Sequence, residues 1–501
     1  MGQKLGMVYK WIGENVGNIY VFSILSLYPL YFHDYYFDIM EAKFFFFLVA
    51  TCVFLFLFVI TNRTRDTSKL IRSEKIATIC ICFFIICGLI TCLLSDYSEY
   101  AFWGNAGRYK GWFTYALYGI AFLLLVRVKR INKNVLWAME VTACLAGILG
   151  ILNHYSVDIF GFYRDLRVDQ HTSFSSTFGN INVFAEYLAV IYVISGVLYC
   201  GTEFSKLRYL HLITHIILVG AILLLSSDSA FFAVILFICV YPILIKEYNE
   251  ILAYVKLIGV FFSEIVIFKT IGRVIENEKM LNGICLVLRN NGDTFAVALA
   301  ILVVILLLIR RKNEGDITGW KKIYTVFLSI LIFFGFLLVL LVNLDMIPWR
   351  GNVLLKMLHF SDEWGTYRGY LWRHTWEIYE HLPIYQKLFG IGQDSMLFVY
   401  ELNYEVTSYQ ITTFDNAHNI YLQMLISHGA IGLLFWLGWI GASLYSGVKK
   451  AKKSSIFIVV LVGIIMYGIM GLVGLNMMHV SAIVVILLAL CFCDMEKKNN
   501  V

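Results

Sequence analysis

Apolar runs of roughly 17 to 25 residues recur from one end of the chain to the other, with short polar breaks between them. Hydrocarbon offers no partner to a backbone N–H or C=O, so a run of that length folds as a helix that satisfies its own backbone. About fourteen such runs predict an all-α polytopic membrane protein of about 12–14 transmembrane helices, organised as a single membrane domain over residues 1–501. Composition agrees: 60% of residues are hydrophobic and 15% charged, a balance that no water-soluble surface accommodates. The first run, roughly Asn18 to Phe32, lacks a small-residue cleavage site and reads as a retained helix. Of the eleven cysteines, ten fall in or beside apolar runs, where a thiol behaves as a small hydrophobe. Cys285 alone is expected on an external loop, so no disulfide framework is expected.

The net charge of +6 is spread over alternate loops and forms no basic face, which argues against a nucleic-acid partner. Lys4 and Lys10 precede the first run; Arg63, Arg65, Lys69, Arg72 and Lys75 follow two runs on, then Arg127, Lys129, Arg130 and Lys133, then Lys206 and Arg208, then Lys246. Arg310, Arg311, Lys312, Lys321 and Lys322 come next, then Lys449, Lys450, Lys452 and Lys453, and finally Lys497 and Lys498. The positive-inside rule puts these segments and both termini in the cytoplasm. The loops left outside span residues 34–41, 95–110, 154–182, 276–293 and 348–417. The last, at roughly 70 residues, is several times the usual connection length, and loops that long are functional or disordered. It carries Trp349, Trp364, Trp372 and Trp376 among many tyrosines, and Tyr367 to His381 fits a helix with one aromatic face. A docked, partly helical extracytoplasmic cap is therefore expected over 348–417.

No HExxH, paired-carboxylate or CxxC arrangement lies on the outer loops, and no GxSxG elbow or P-loop occurs, so neither a metal nor another cofactor is expected. What remains is Arg and His around the long loop. Arg368 stands one helical turn before Trp372, with Arg373 beside it. A guanidinium at the membrane surface suits bidentate capture of a diphosphate; an arginine snorkelling to lipid headgroups is the competing explanation. His418 opens the apolar run Ile420 to Leu437. A neutral imidazole there can take a hydroxyl proton near neutral pH, or it can simply cap a membrane helix. Phe389-Gly390-Ile391-Gly392 between them reads as a tight turn.

The order Arg368-x-x-x-Trp372, Pro383, Gly390-Ile391-Gly392, His418-Asn419-Ile420-Tyr421-Leu422-Gln423, Gly429-Ala430-Ile431-Gly432 resembles the O-antigen ligase and polymerase superfamily. Upstream, Gly107-Arg108-Tyr109-Lys110-Gly111 resembles an outer loop of that family. Phe178-Gly179-Asn180-Ile181-Asn182 resembles its Gly-Asn-x-Asn start of a span. The likeness runs from about Gly104 to Trp439 and leaves the ends unmatched.

The resemblance implies a multi-pass glycosyltransferase of the bacterial cytoplasmic membrane. It would move a glycan from undecaprenyl diphosphate to an acceptor outside that membrane, with inversion and without a metal. Arg368 would hold the diphosphate, and His418 would activate the acceptor hydroxyl or stabilise the transition state. Arg108, Arg373, Asn419, Asn180, Asp228 and Trp372 would line the substrate site. One departure stands out: Ser227-Asp228-Ser229 replaces the Ser-Arg-Gly that many members carry. Another cation, Arg108, Arg164 or Arg167, must then share the diphosphate, or the substrate differs. Asp228 could instead orient an arginine or a sugar hydroxyl, or help Ser226 and Ser227 cap the helix that follows. Trp364, Tyr367, Trp372 and Tyr379 suit stacking on sugars or prenyl chains and equally suit interfacial anchoring. The acceptor is a lipid, a wall polymer, a protein or, for a capsule-type polymerase, a second lipid-linked repeat. A glycolipid flippase or transporter is the alternative of another class, but those proteins place their informative charges inside the spans.

Overall fold

The computed structural model describes residues 2–61, 71–105, 107–128, 130–201, 206–275, 278–311, 317–403, 415–475 and 477–496. Arg63, Arg65, Lys69, Lys129, Lys312, Lys497, Lys498, the Glu276 end of one outer loop and residues 404–414 of the long loop lie outside them.

The predicted runs are helices, as hydrocarbon requires. Among the described residues, eight helices are long and apolar enough to cross a membrane, or nine if Gly283–Asn290 and Gly292–Ile305, bent by 68°, form one broken span. Four apolar helices are shorter: Trp112–Leu125, Asp228–Leu244, Ile456–Met470 and Met478–Leu490. The first run lies in a helix from Gly2 that passes through a π-turn at Ser23–Leu27 and ends at Leu30. Pro29 has no N–H to give, and the buried Lys43 ammonium donates to the carbonyls of Tyr28 (2.6 Å) and Pro29 (2.8 Å), covering this helix end.

Burial orders the bundle. The helix Ile181–Gly201 is its centre, with the whole of its apolar window buried, whereas Gly319–Asn343 has 11% of its window buried and turns its aliphatic and aromatic side chains outward. All eleven cysteines are free. Cys285, expected on an exposed loop, is buried: Gly283–Asn290 is amphipathic and turns Ile284, Cys285 and Leu288 into the core.

The contacts between loops follow the alternation of charge. On the basic face, residues 130–132 pair in parallel with 494–496, and the Lys450 ammonium donates to the carbonyls of Phe492 (2.9 Å) and Cys493 (2.7 Å). On the opposite face, which carries the long loop, Asn105 N–H donates to Asp394 (2.7 Å), Tyr36 OH to Ser176 O (2.9 Å) and Lys279 to His171 O (2.6 Å). A two-stranded antiparallel ribbon, 174–175 with 179–180, lies on this loop face too.

The shortness of some helices shapes the loop face. A 14-residue helix such as Trp112–Leu125 rises about 21 Å, well under the ~30 Å of hydrocarbon. Its loop-face end, and those of Asp228–Leu244 and of the pair Ile456–Met470 and Met478–Leu490, are continued by irregular backbone. Such backbone is tolerated at depth only where protein buries it, and Gly471, Val473, Leu475 and Met477 of the last turn are indeed buried. The long loop covers these ends as helices Val353–Leu358, Trp364–His381, Ile384–Phe389 and Met396–Asn403. It has a small core of its own in Leu371, Ile378, Ile391, Met396 and Tyr400, closed by Ala417 and Ile426. The docked, partly helical cap is thus what forms.

Candidate active site

The helix Trp364–His381 is regular only from Arg368. Gly365, Thr366 and Tyr367 all have positive φ (59°, 61° and 67°), a left-handed turn that ordinary residues adopt at a cost of roughly 1–2 kcal/mol each. Tyr367, expected to open the helix, therefore belongs to the turn before it. The turn places Arg368 at the first position of the helix and folds its guanidinium back on backbone: Nη1 donates to Gly365 O (2.6 Å) and Nε to Val473 O (3.1 Å). Both acceptors are neutral carbonyls. Arg368 is thus oriented by the backbone of Gly365 and Val473 without an ion pair, and among the described residues its Nη2 has no partner.

Arg373, one turn further, is different. Its Nε and Nη2 grip Asp362 (3.0 and 2.6 Å) and its Nη1 bonds Glu377 (2.9 Å). Two carboxylates already answer this guanidinium, so the expected substrate-binding role of Arg373 finds no open donor face. Trp372 does not pair with Arg368 either. It packs on Trp364 at 5.3 Å between ring centroids, with its indole N–H buried and without a hydrogen-bond partner among the described residues.

The helix Ile420–Ala451 is broken at Gly429 (φ 69°, ψ 179°), and the break explains the glycine-rich turn. The break strips the Ile426 and Ser427 carbonyls of their helical donors, and Ile391 N–H (3.0 Å) and Gly392 N–H (3.3 Å) replace them. A Cβ on Gly390 would lie 2.3 Å from Ser427 O, and one on Gly429 2.3 Å from Leu388 O. The two glycines let the backbones touch, and this fixes the long loop to the span that carries His418.

His418 sits just before that helix. Asn419 is the N-cap, its Oδ1 accepting from Tyr421 N–H and Leu422 N–H (3.0 Å each). The cap is worth about 1 kcal/mol, and it commits Asn419, a predicted substrate ligand, to the helix end. It also releases His418 from that duty. His418 has φ 48° and donates its N–H to Asn416 Oδ1 (2.8 Å), leaving the imidazole free of backbone work. Ala417 N–H is taken by Gln423 Oε1 (2.9 Å).

Four charged side chains act on that imidazole: Arg368, Lys110, Asp415 and Arg108. Burial, reinforced by the three cations, pushes the His418 pKa down to about 4, so the ring is neutral at pH 7. Arg108 is paired with Asp415, three residues before His418. Lys110 stands two residues further on, and nothing in the sequence singles it out from the Gly107 to Gly111 segment. It is 8% exposed, its ammonium has no hydrogen-bond partner among the described residues, and burial lowers its pKa. It lines a small polar cleft with Gln393, Asp394, Asn416, Gln423, Ser427 and His428. In the sequence a lysine just before an apolar run looks like any interfacial snorkeller.

The remaining predicted residues fall elsewhere. Asn180 caps its own turn, Oδ1 accepting from Asn182 N–H (2.8 Å). Asp228 does not cap the helix it begins: its carboxylate accepts from Ile284 N–H (2.7 Å) and fills the space that a Cβ on Gly283 would need. It still acts on Arg368 through space, raising that pKa against the larger, lowering effect of burial. Arg164 stacks on Tyr35 and bridges Asp34 and Asp165, and Arg167 bridges Asp169, so neither takes the place of the missing family arginine at His418. Among the described residues no three His, Cys, Asp or Glu side chains converge as metal ligands.

The comparison with curated proteins returned no match. Residues 280–437, which run from just before the helix that holds Cys285, through the long loop, to the span broken at Gly429, match the family model described as O-antigen ligase. Arg368 and His418 both lie inside the matched segment. Residues 280–437 are therefore similar to the O-antigen ligase family, within an all-α chain whose long apolar helices make it a polytopic membrane protein.

Proposed function

We propose that this protein transfers a glycan from undecaprenyl diphosphate to an acceptor hydroxyl on the extracytoplasmic face of a bacterial cytoplasmic membrane, inverting the anomeric centre. The observation that supports this reading is a neutral His418, at the start of a membrane span, under the influence of Arg368, whose guanidinium is held by two carbonyls and touches no carboxylate among the described residues. The acceptor oxygen attacks the anomeric carbon, its proton passes to the His418 imidazole, and the bond to the diphosphate breaks with the electron pair staying on phosphate. Arg368 offsets the charge that builds there, the work a metal ion would do in other transferases.

The site is also suited to respond to its donor. Burial, with the neighbouring cations adding to it, holds His418 near 4, too low for an efficient base at neutral pH. A diphosphate seated on those cations would cancel their field and raise the imidazole towards neutrality, so basicity appears when the donor is bound.

Purified protein given an undecaprenyl diphosphate-linked glycan should release undecaprenyl diphosphate, and His418→Ala should abolish release while the melting temperature stays unchanged. Equal turnover in the variant would overturn the assignment. The mass of the product distinguishes acceptors: a lengthened lipid-linked chain identifies a polymerase, and transfer to a second molecule identifies a ligase.

A further inference from the structure

The loop before Trp112 sends three consecutive side chains three ways. Arg108 pairs with Asp415, Tyr109 (φ 53°) stacks on Phe44 at 4.3 Å and 11°, and Lys110 turns into the protein. The loop is folded tightly on itself: a Cβ on Gly104 (φ 91°) would lie 2.3 Å from Lys110 N, and one on Gly111 2.3 Å from Phe102 O. The direction of Lys110 is therefore set by backbone and not by a partner for its charge.

Burying an ammonium without a hydrogen bond costs several kcal/mol, and the nearby carboxylates do not offset it by contact. Asp394 is taken by Asn105 N–H (2.7 Å), Asp415 by Arg108, and both oxygens of the 1% exposed Glu186 are themselves unpartnered. This ammonium, more than nine-tenths buried and without a hydrogen bond among the described residues, acts on the same imidazole as Arg368 and is suited to receive an anionic oxygen.

We propose that Lys110 is a second ligand of the diphosphate, holding a phosphate oxygen together with Arg368 and supplying the positive charge that Ser227-Asp228-Ser229 lacks. This rests on the transferase reading above. The two cations divide the work by shape: the guanidinium is fixed by two carbonyls and offers a directed donor, whereas the ammonium is a compact point charge that follows the phosphate oxygen as charge develops. As the anomeric bond to the diphosphate breaks and the acceptor bond forms, the proton goes to His418, and the electron pair left on phosphate lies against Arg368 and Lys110.

The test is equilibrium binding of two probes, undecaprenyl diphosphate and undecaprenyl monophosphate, to the full chain in nanodiscs. Lys110→Met should weaken the diphosphate lipid by about 10- to 100-fold, the worth of one charge-assisted hydrogen bond, and the monophosphate lipid by less. Lys110→Arg should recover part of the difference, and Arg373→Ala, whose guanidinium is already held by Asp362 and Glu377, should bind both lipids as the unaltered protein does. Diphosphate binding by Lys110→Met equal to that of the unaltered protein would overturn this inference alone. So would an equal loss for both lipids with a lowered melting temperature, which would mark Lys110 as structural. No binding of either lipid by the unaltered protein would overturn the transferase reading, and this inference with it.

Discussion

Two lysines on the loop face are buried in opposite ways. Lys279 donates to Tyr163 OH (2.7 Å), His171 O (2.6 Å) and Phe174 O (3.3 Å), and its ammonium lies 4.2 Å from the Tyr163 ring centroid. Every proton on that nitrogen is used, and the bonds fasten the 155–175 loop to the segment before Gly283. Lys110 has none of these bonds. The same side chain is a latch where its donors are saturated and a candidate binding group where they are not. The arginines of the long loop repeat the contrast: Arg373 is answered by two carboxylates, Arg368 by two carbonyls.

The largest expected effect tests the unsaturated region. His418→Ala should cost on the order of 10²–10⁴ in turnover, the usual contribution of a positioned base, with stability unchanged; a small loss in a rate-of-release assay would remove the chemical distinction between the two regions. Next comes the saturated region. Lys279→Met should lower stability by about 1.5–3 kcal/mol, read as a fall in melting temperature, and leave discrimination between the diphosphate and monophosphate lipids intact. Impaired discrimination would break the comparison.

Gly429→Ala should destabilise by a similar amount, about 1–3 kcal/mol, because it adds a Cβ at φ 69° against Leu388 backbone. It should also lower turnover, since that contact ties the Arg368 loop to the His418 span; full activity would show the two to be independent.

pH separates empty from occupied site. The lowered His418 pKa keeps the ring neutral down to about 4 in the free protein, so the acid limb of kcat/KM should fall near there. The limb of kcat should fall at higher pH, because bound diphosphate raises that value. Coincident limbs would remove the electrostatic coupling. The same shift makes the fold lose stability as pH falls from the ordinary histidine value of 6.5 through about 4, where the unfolded chain takes a proton that the fold refuses. The smallest effect belongs to Arg373→Ala: its half-exposed ion pairs are worth about 0–1 kcal/mol, and diphosphate binding should not change. A loss like that of an Arg368 variant would return Arg373 to the site.

The sequence alone determined the solvent, the helices and the order of functional segments. Runs of apolar residues leave backbone no alternative to helix, and alternating Lys and Arg clusters sort the loops into two faces, as the Arg130 to Asp494 pairing reflects. The Gly390 to Gly392 turn was legible because its backbone demand is local, and Arg368 and His418 stood out through the order of the motifs around them. Tertiary structure alone decided which cations remain available. Arg368 and Arg373 differ in what folds against them, Val473 O having no side-chain signature at all, and Lys110 differs from any snorkelling lysine only in being enclosed. Asn419 and Asp228 each carry an oxygen that can cap a helix or bind a substrate, and the sequence does not separate the two uses. What separates them is the distant N–H, on Leu422 or Ile284, that packing brings within reach.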